Sequence, residues 1–98
     1  MESFRHITNF EWDRHNAEKN WKKHGVKFSE CEEVFFDPGL KVMPDDKHSL
    51  TENRWLALGK SKESRLLFLA FTERSGKVRV ISARDMHAKE RRAYHEKI

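Results

Sequence analysis

The sequence has few of the residues that cross-link or interrupt a chain. Its 98 residues include one cysteine, Cys31, which excludes an internal disulfide and favours a reducing, cytoplasmic environment. There are only two prolines and four glycines, and no repeat, long linker or low-complexity segment occurs. No apolar run approaches the roughly 18 residues of a membrane-spanning helix, and no secretory signal is recognisable. We therefore expect one soluble domain over residues 1–98, without membrane contact.

Positive charge is in modest excess over negative charge. Lysine and arginine together number 20, aspartate and glutamate 16, and the formal net charge is +4. Such a balance attracts polyanions, RNA or DNA first, but it would also attract an acidic protein. The charge alone therefore leaves both classes of partner open.

The first part of the chain predicts a loose leader, a short strand and a helix. Residues 1–8 show no periodicity, and the stretch that follows them is extended in character. Asp13 is placed to cap a helix that Gly25 ends in a left-handed conformation. Within this helix Ala17 and Trp21 lie four residues apart, so we expect them to form its buried stripe.

A second helix and four more strands follow. Ser29 and Glu32 have the spacing of a capping box, and Pro38 stops the helix that they begin. A terminal helix, capped by Asp85, completes the chain. The order β-α-α-β-β-β-β-α predicts an α+β domain, a sequential antiparallel sheet with helices on one side. The strands after the second helix are predicted at residues 40–44, 53–59, 65–73 and 78–84.

The last hairpin predicts which side chains are paired. Ser75 and Gly76 have the character of a two-residue loop, which sets Thr72 opposite Arg79 and Ala70 opposite Ile81. The face that carries Thr72 and Arg79 is mixed in polarity, with a basic end, and it also carries Phe68, Ala70 and Ile81.

The turn at residues 60–64 is longer, so it determines the pairing of the strands at 53–59 and 65–73 less tightly. Its simplest pairing sets Arg54 opposite Ala70 and puts Trp55 on the apolar face, whereas a slip of one residue would invert this assignment. Arg54 and Arg79 then share a sheet face, about 10 Å apart on the strands that flank the central one.

Arg84, at the end of the last strand, has two possible placements. Strict alternation puts it on the core side, where it would anchor the last helix through Glu90. A bulge at Ser82 and Ala83, or fraying there, would return it to the face of Arg79.

Arginines on an open sheet face suit phosphate recognition. A guanidinium group binds phosphate through two hydrogen bonds and stabilises charge that develops on it. Arg54, Arg74 and Arg79 are the candidates. Cross-strand ion pairs are the alternative explanation, and they account for most surface arginines.

Other reactive side chains give weaker signals. His24 closes the first helix and suits a general acid or base, although a helix C-cap explains it as well. The histidines and the cysteine lack metal-ligand spacing, so we expect neither a metal nor a cofactor. No helix-turn-helix spacing occurs, so direct DNA binding is not expected.

Several stretches occur together in one order and indicate a family. They are FEWD, NWKKHGVKFSECEEVFFDP, ENRWLALG, LLFLAFTER, VRVISAR and KERRAY. Over about residues 10–94 the sequence resembles the BrnT family of bacterial toxins, chiefly through K-H-G-V-x-F combined with R-x-I-S-A-R. The resemblance implies a RelE-like fold and a type II toxin that cleaves RNA and blocks translation. It also implies a BrnA-type antitoxin with a ribbon-helix-helix domain, bound in a heterotetramer that represses the shared promoter.

The resemblance also suggests site residues. We expect the arginines to hold a phosphate while the adjacent 2′-hydroxyl attacks it without a metal ion, and Lys23 or His24 to assist proton transfer. The expected catalytic residues are Lys23, His24, Arg54 and Arg79, and the expected substrate-binding residues are Lys19, Thr72, Arg74 and Arg84. The family's characteristic polar residues fall on Asp13, Asn20, Lys23, His24, Arg54, Thr72, Arg79, Arg84 and Glu90.

One departure from the family pattern keeps a second hypothesis open. Asn16 occupies a position where the family commonly has a lysine, and Lys19, one turn later on the same helix face, is its possible substitute. The alternative to an active ribonuclease is therefore a catalytically weak or silent antitoxin-binding module that acts in transcriptional autoregulation. The identity of the RNA target and the need for a ribosome stay open.

Overall fold

The computed structural model describes residues 9–48 and 52–96, so the leader expected at residues 1–8 lies outside the described residues. The order of strands and α-helices confirms the prediction, with a 3-10 turn added at Asp46–His48. Within these ranges no helix is long and apolar enough to cross a bilayer. The elements are β1 (Asn9–Phe10), α1 (Arg14–His24), α2 (Phe28–Val34), β2 (Lys41–Pro44), β3 (Arg54–Lys60), β4 (Leu66–Arg74), β5 (Lys77–Asp85) and α3 (Ala88–His95).

Helix α1 begins and ends as the sequence predicts. The Asp13 carboxylate accepts a hydrogen bond from the backbone N–H of His15 at 2.8 Å, which is the contact of an N-cap residue. Gly25 follows the helix with φ of 64°, a left-handed conformation that glycine adopts without steric cost. The N–H of Gly25 donates to the carbonyl of Trp21, so one of the last helical carbonyls is satisfied.

The predicted buried stripe of α1 was wrong at Trp21, whereas its other member, Ala17, is half-buried. Trp21 is 54% exposed, whereas Asn20 is 2% exposed. The reason is that α1 lies against β5, where the side-chain oxygen of Asn20 accepts a hydrogen bond from the backbone N–H of Ala83 at 3.3 Å. In the described part of the chain, β1 pairs with the first two residues of β5 and ends at Phe10, so a helix side chain satisfies a backbone group farther along that edge.

Helix α2 has a different cap from the predicted one. The backbone N–H of Lys27 donates to the Glu30 carboxylate at 3.0 Å, so the helix starts at Phe28 and the box predicted from Ser29 is wrong. Its other predicted member, Glu32, accepts a hydrogen bond from the indole N–H of Trp12 at 2.8 Å.

The five strands form one mixed sheet in the order β1-β5-β4-β3-β2. The four long-range pairings include one parallel pairing, of β1 with β5, so the predicted sequential antiparallel sheet is correct only from β2 to β5. Strand β1 therefore lies at one edge of the sheet, beside β5, although these two strands are the first and the last in the sequence.

The hydrophobic core lies between α2 and one face of the sheet. Gly59 on β3 shows how closely they approach, because a Cβ atom there would lie 2.5 Å from a methyl carbon of Val34. Trp55 packs against this core as predicted. The buried core residues are Val26, Cys31, Val34, Phe35, Ala57, Leu67, Leu69, Phe71, Val78, Val80 and Ala83.

Helix α3 lies over one end of the opposite face, so the helices are not confined to one side. Lys41, which pairs with Leu58 on that face, donates from Nζ to the carbonyl of Ala93 at 2.6 Å. The prediction that Asp85 caps α3 was wrong. Asp85 is the last residue of β5, and His87 is the residue that precedes the helix.

Asp85 has another partner, which explains the error. Its carboxylate accepts two hydrogen bonds from Arg65, at 2.7 and 3.0 Å. The same guanidinium group donates to the carbonyls of His24 and Gly25, so it ties the end of α1 to the sheet.

Candidate functional site

The face of the sheet opposite α2, here called the open face, carries the strand residues predicted for the site. Arg54 pairs with Thr72, and Thr72 pairs with Arg79, so these three residues form a line across β3, β4 and β5, here called the arginine row. The predicted pairing of Arg54 with Ala70 was wrong by two residues, which preserves the face. Because strands lie about 4.8 Å apart, the Cα atoms of the two arginines are about 10 Å apart.

Thr72 occupies the centre of the arginine row. It is 1% exposed, and its hydroxyl donates a hydrogen bond to the carbonyl of Asn53 at 2.8 Å. Asn53 immediately precedes Arg54, so this bond fixes the start of β3 beside the row.

Arg79 is held by carboxylates at the start of α1. Its Nη2 donates to Asp13 at 2.9 Å, and Nη1 lies 3.7 Å from a carboxylate oxygen of Glu11. The pKa of Asp13 is lowered, first by its hydrogen bond from the backbone of His15 and further by Arg79. The capping carboxylate therefore stays ionised and directs Arg79.

A β-bulge in β5 changes the register next to the arginine row. Phe71 pairs with Val80, but Ala70 pairs with Ser82, so Ile81 has no partner of its own on β4. The predicted pairing of Ala70 with Ile81 was therefore wrong. Such a bulge re-aims the side chains that follow it.

The bulge decides the placement of Arg84. This residue pairs with Phe68 on the open face, and its guanidinium carbon lies 4.1 Å from the centre of the Phe68 ring. The same group donates to both Glu90 oxygens, at 2.7 and 2.8 Å. Hydrogen bonding to Arg84 lowers the pKa of Glu90 and raises that of Arg84. The contact with Glu90 and the return of Arg84 to the open face are thus both confirmed. Its placement on the core side was wrong, and the bulge lies at Ile81 rather than at Ser82 and Ala83.

A groove of about 450 Å³ lies on the open face beside the arginine row. It joins aliphatic side chains from three strands to polar ones at its ends. The groove is lined by Asp45, Lys47, Arg54, Leu56, Phe68, Ala70, Ile81 and Ser82.

The exposed side of α1 forms a separate basic surface. Lys19 and Lys23, both predicted, line a shallow hollow of about 350 Å³ together with His15, Glu18 and Lys22. His15 and Lys22 were not predicted, although their spacing from Lys19 along a helix would have placed them on one side.

His24 lies at the far end of α1 from the arginine row. A helix rises about 1.5 Å per residue, so the Cα atom of His24 lies roughly 16 Å from that of Asp13, which holds Arg79. The structure therefore does not bring His24 or its neighbour Lys23 together with the arginine row.

Arg74 is also outside the row, because it lies two residues beyond Thr72 and pairs with Lys77. It forms a two-point ion pair with Glu52 at 2.9 and 3.1 Å. Among residues 9–48 and 52–96, no three His, Cys, Asp or Glu side chains are grouped as a metal site would need.

The groove is the part of the site that the sequence did not predict. Leu56 and Ala70 read as ordinary strand residues, because apolar side chains in alternation do not reveal whether a helix covers them. Phe68 was predicted on the mixed face, but nothing in the sequence indicated that the guanidinium group of Arg84 would pack on its ring.

Comparisons with known proteins place the chain in a family. Residues 12–90 match the family described as "Ribonuclease toxin, BrnT, of type II toxin-antitoxin system". No curated protein shows significant sequence similarity to the chain. The fold is similar to that in the 1.1 Å crystal structure of the Brucella abortus ribonuclease toxin BrnT, with a TM-score of 0.63 and 23% identity. This match covers 82% of the present chain and 97% of the Brucella chain, and it confirms the predicted α+β, RelE-like fold class.

Proposed function

Since the chain belongs to the BrnT family of ribonuclease toxins of type II toxin–antitoxin systems, we propose that it cleaves RNA at the arginine row by metal-independent attack of the 2′-hydroxyl. The observation that carries the proposal is the alignment of Arg54, Thr72 and Arg79 across the open face. Two guanidinium groups about 10 Å apart at their Cα atoms are long enough to converge on one phosphate between them.

The reaction needs no covalent intermediate with the protein. The 2′-oxygen forms a bond to the adjacent phosphorus, the bond from phosphorus to the 5′-oxygen of the next nucleotide breaks, and a cyclic 2′,3′-phosphate remains. The proton of the 2′-hydroxyl passes to water, and the departing 5′-oxygen takes a proton from water. Arg54 and Arg79 stabilise the extra negative charge of the pentavalent phosphorane. Their guanidinium groups thus supply the positive charge that a metal ion would otherwise supply.

Arg79 is well positioned for this role because it is fixed before RNA binds. Asp13 accepts a hydrogen bond from Nη2 of Arg79 at 2.9 Å, whereas Nη1 makes a longer contact with Glu11, at 3.7 Å. We propose that a phosphate replaces the Glu11 contact while the Asp13 contact persists. Pre-organised donors of this kind cost little reorganisation in the transition state.

The basic surface of α1 has a supporting role in this proposal. Lys19 and Lys23 bind backbone phosphates away from the cut, because they line a hollow on the helix rather than the arginine row. Lys23 and His24 are not assigned to proton transfer, since roughly 16 Å of helix separates His24 from the residue that holds Arg79.

We also propose that the antitoxin is of the BrnA type, with a ribbon-helix-helix domain, and that the two proteins form a heterotetramer in the cytoplasm. The support is the family's place in type II toxin–antitoxin systems. Co-expression with the neighbouring gene product, followed by light scattering on the purified complex, measures the stoichiometry directly. A complex of one toxin with one antitoxin chain would contradict the heterotetramer.

A second candidate function is the catalytically silent module that binds antitoxin. The observation that favours it is that Arg74, Arg79 and Arg84 each engage a carboxylate within the protein. Expression without antitoxin separates the two: growth arrest with RNA fragmentation supports the ribonuclease, and normal growth with intact RNA supports the module.

The direct test is RNA cleavage by purified protein in EDTA, alone and in a translation extract. Arg79→Ala and Arg54→Ala should each lower the rate by about 10²- to 10³-fold, the usual loss for one transition-state donor. Arg92→Ala, on the exposed side of α3, is the matched control and should change the rate less than twofold. Unchanged cleavage by Arg79→Ala would contradict the arginine row, and loss of wild-type activity in EDTA would contradict metal independence.

A further inference from the structure

We propose that the groove beside the arginine row is a nucleobase-binding subsite, which takes the base of the nucleotide that adjoins the bound phosphate. This inference rests on the proposed function, because it assigns the second half of an RNA site whose first half is the arginine row. Its basis is the arrangement of side chains along the open face.

The open face is layered along its strands. One step of two residues beyond the arginine row, Leu56 pairs with Ala70, and Ala70 pairs with Ser82. Two residues along a strand span about 6.6 Å, so this second layer lies immediately beside a phosphate held by the row. A nucleotide bound at its phosphate therefore lies with its base over the second layer.

The chemistry of the groove suits a flat, apolar ring. Leu56, Ala70 and Ile81 give it an aliphatic floor, and Phe68 forms a wall. Ala70 is 9% exposed, so the floor is continuous with the packed sheet. A volume of about 450 Å³ falls within the usual range of ligand sites, about 300–1,000 Å³.

The wall is rigid before any ligand arrives. The guanidinium group of Arg84 covers the Phe68 ring at 4.1 Å, and Glu90 holds that guanidinium by two hydrogen bonds. A fixed wall reduces the entropy lost on binding. Arg84 thus supports the subsite without contacting the phosphate at the row.

The β-bulge explains why two consecutive residues of β5 both line the groove. In a regular strand Ile81 and Ser82 would point to opposite faces, yet both line the groove. The unpaired residue at the bulge permits this, and bulges recur beside active sites for such re-aiming. The bulge therefore places one apolar and one polar side chain from β5 in the same groove.

Polar groups at the ends of the groove are placed to contact the base edge. Ser82 lies on β5, and Asp45 and Lys47 lie on the opposite side, after β2. A hydroxyl both donates and accepts, a carboxylate accepts, and an ammonium donates, so together they complement the mixed edge of a nucleobase.

The test compares strands that carry a base with strands that lack one. Four 2′-O-methyl tetranucleotides, which cannot be cleaved by 2′-hydroxyl attack, each carry one abasic position, and their binding is measured by fluorescence anisotropy. With wild-type protein, loss of the base at one position should weaken binding about tenfold relative to the intact strand, within the range for one stacked base. Equal binding of the intact strand and all four abasic strands would overturn the subsite.

Two variants place the effect in the groove. Ser82→Val and Ala70→Leu fill it, and each should reduce the tenfold difference to less than twofold while the abasic strand binds as before. Arg79→Ala should weaken both strands equally and keep the difference. Ser29→Val, on α2, is the matched surface control. If Ala70→Leu fails to fold, Ser82→Val, on a half-buried position, carries the test alone.

The outcomes separate the subsite from the proposed function. A base effect that survives Ser82→Val unchanged overturns the subsite, and continued RNA cleavage in EDTA then leaves the proposed function intact. If no strand binds the wild-type protein, the subsite and the RNA site of the arginine row are both contradicted.

Discussion

Asp13 bonds to Arg79 across 66 residues of sequence, at 2.9 Å, and thereby joins the start of α1 to the open face of the sheet. One oxygen of its carboxylate accepts the capping bond from His15, and the other accepts from the arginine. A single side chain therefore sets both where the helix begins and where the guanidinium group of the arginine row points.

The two roles of Asp13 are separable by substitution. Asp13→Ser keeps a good helix cap but removes the ion pair, whereas Asp13→Ala removes both. We expect both variants to cleave RNA at least about tenfold more slowly, because a misplaced catalytic group is costly. Only Asp13→Ala should also lower the melting temperature clearly. Wild-type cleavage by Asp13→Ser would show that Asp13 does not position Arg79.

The ion pair of Glu90 with Arg84 should make stability depend on pH. Hydrogen bonding to Arg84 lowers the pKa of Glu90 below its ordinary value of 4.5, so the pair stabilises the protein above that value and ceases to do so as the pH falls through the lowered pKa. Glu90→Gln should lower the free energy of unfolding by about 1–2 kcal/mol at pH 7, and the loss should shrink in acid. Urea unfolding at several pH values measures it.

The control for this prediction is Glu73→Gln, which changes an exposed carboxylate on β4. It should leave the free energy of unfolding within about 0.5 kcal/mol of wild type. A loss in Glu90→Gln that is equally large at pH 7 and in acid would contradict the electrostatic explanation.

Tyr94 gives a spectroscopic test of the contact between α3 and the loop after α2. Its hydroxyl donates to Asp37 at 2.6 Å, and burial together with this carboxylate raises the pKa of Tyr94 to about 12. The chain has one tyrosine, so the tyrosinate absorbance reports it alone. The contact stabilises the fold below the ordinary pKa, near 10, and is lost as the pH rises through 12.

The titration midpoint should lie near 12 in the native protein and near 10 in denaturant. Asp37→Asn should lower the native midpoint, because it removes the negative charge beside the phenol. A native midpoint near 10 would show that Tyr94 does not dock on Asp37.

Cys31 reports whether the core between α2 and the sheet stays closed. Its side chain is 1% exposed, and burial raises the pKa of the thiol to about 12. The thiol should therefore react with an aromatic disulfide reagent far more slowly in native protein than in denaturant, since the thiolate is the nucleophile. Fast labelling under native conditions would contradict the packing of α2.

Local chemistry predicts the elements of this fold well. Asp13 and Gly25 bound α1 because a cap and a left-handed residue act within one turn, and the Ser75-Gly76 loop fixed the pairing of Thr72 with Arg79 for the same reason. Both arginines of the row were accordingly placed on the correct face.

The features that the sequence did not predict depend on contacts between residues that are distant in the chain. The burial of Asn20 in place of Trp21 depends on the unpaired edge of β5 near Ala83, and that edge is left unpaired by β1 because β1 ends at Phe10. Asp85 read as a helix cap because its partner, Arg65, lies 20 residues away. The sequence allowed a bulge at Ser82 and Ala83 as one of two alternatives, but no local signal placed it at Ile81, and the groove depends on that position.

In the proposed reaction, the 2′-hydroxyl of RNA is the nucleophile at the arginine row. The most direct measurement uses an RNA that wild-type protein cuts at a known bond, remade with a single 2′-deoxynucleotide on the 5′ side of that bond. In EDTA we expect no cleavage at the modified position, unchanged cleavage elsewhere, and cyclic 2′,3′-phosphate ends on the products of the unmodified strand. Cleavage at the 2′-deoxy position at the rate of the unmodified RNA would contradict attack by the 2′-hydroxyl.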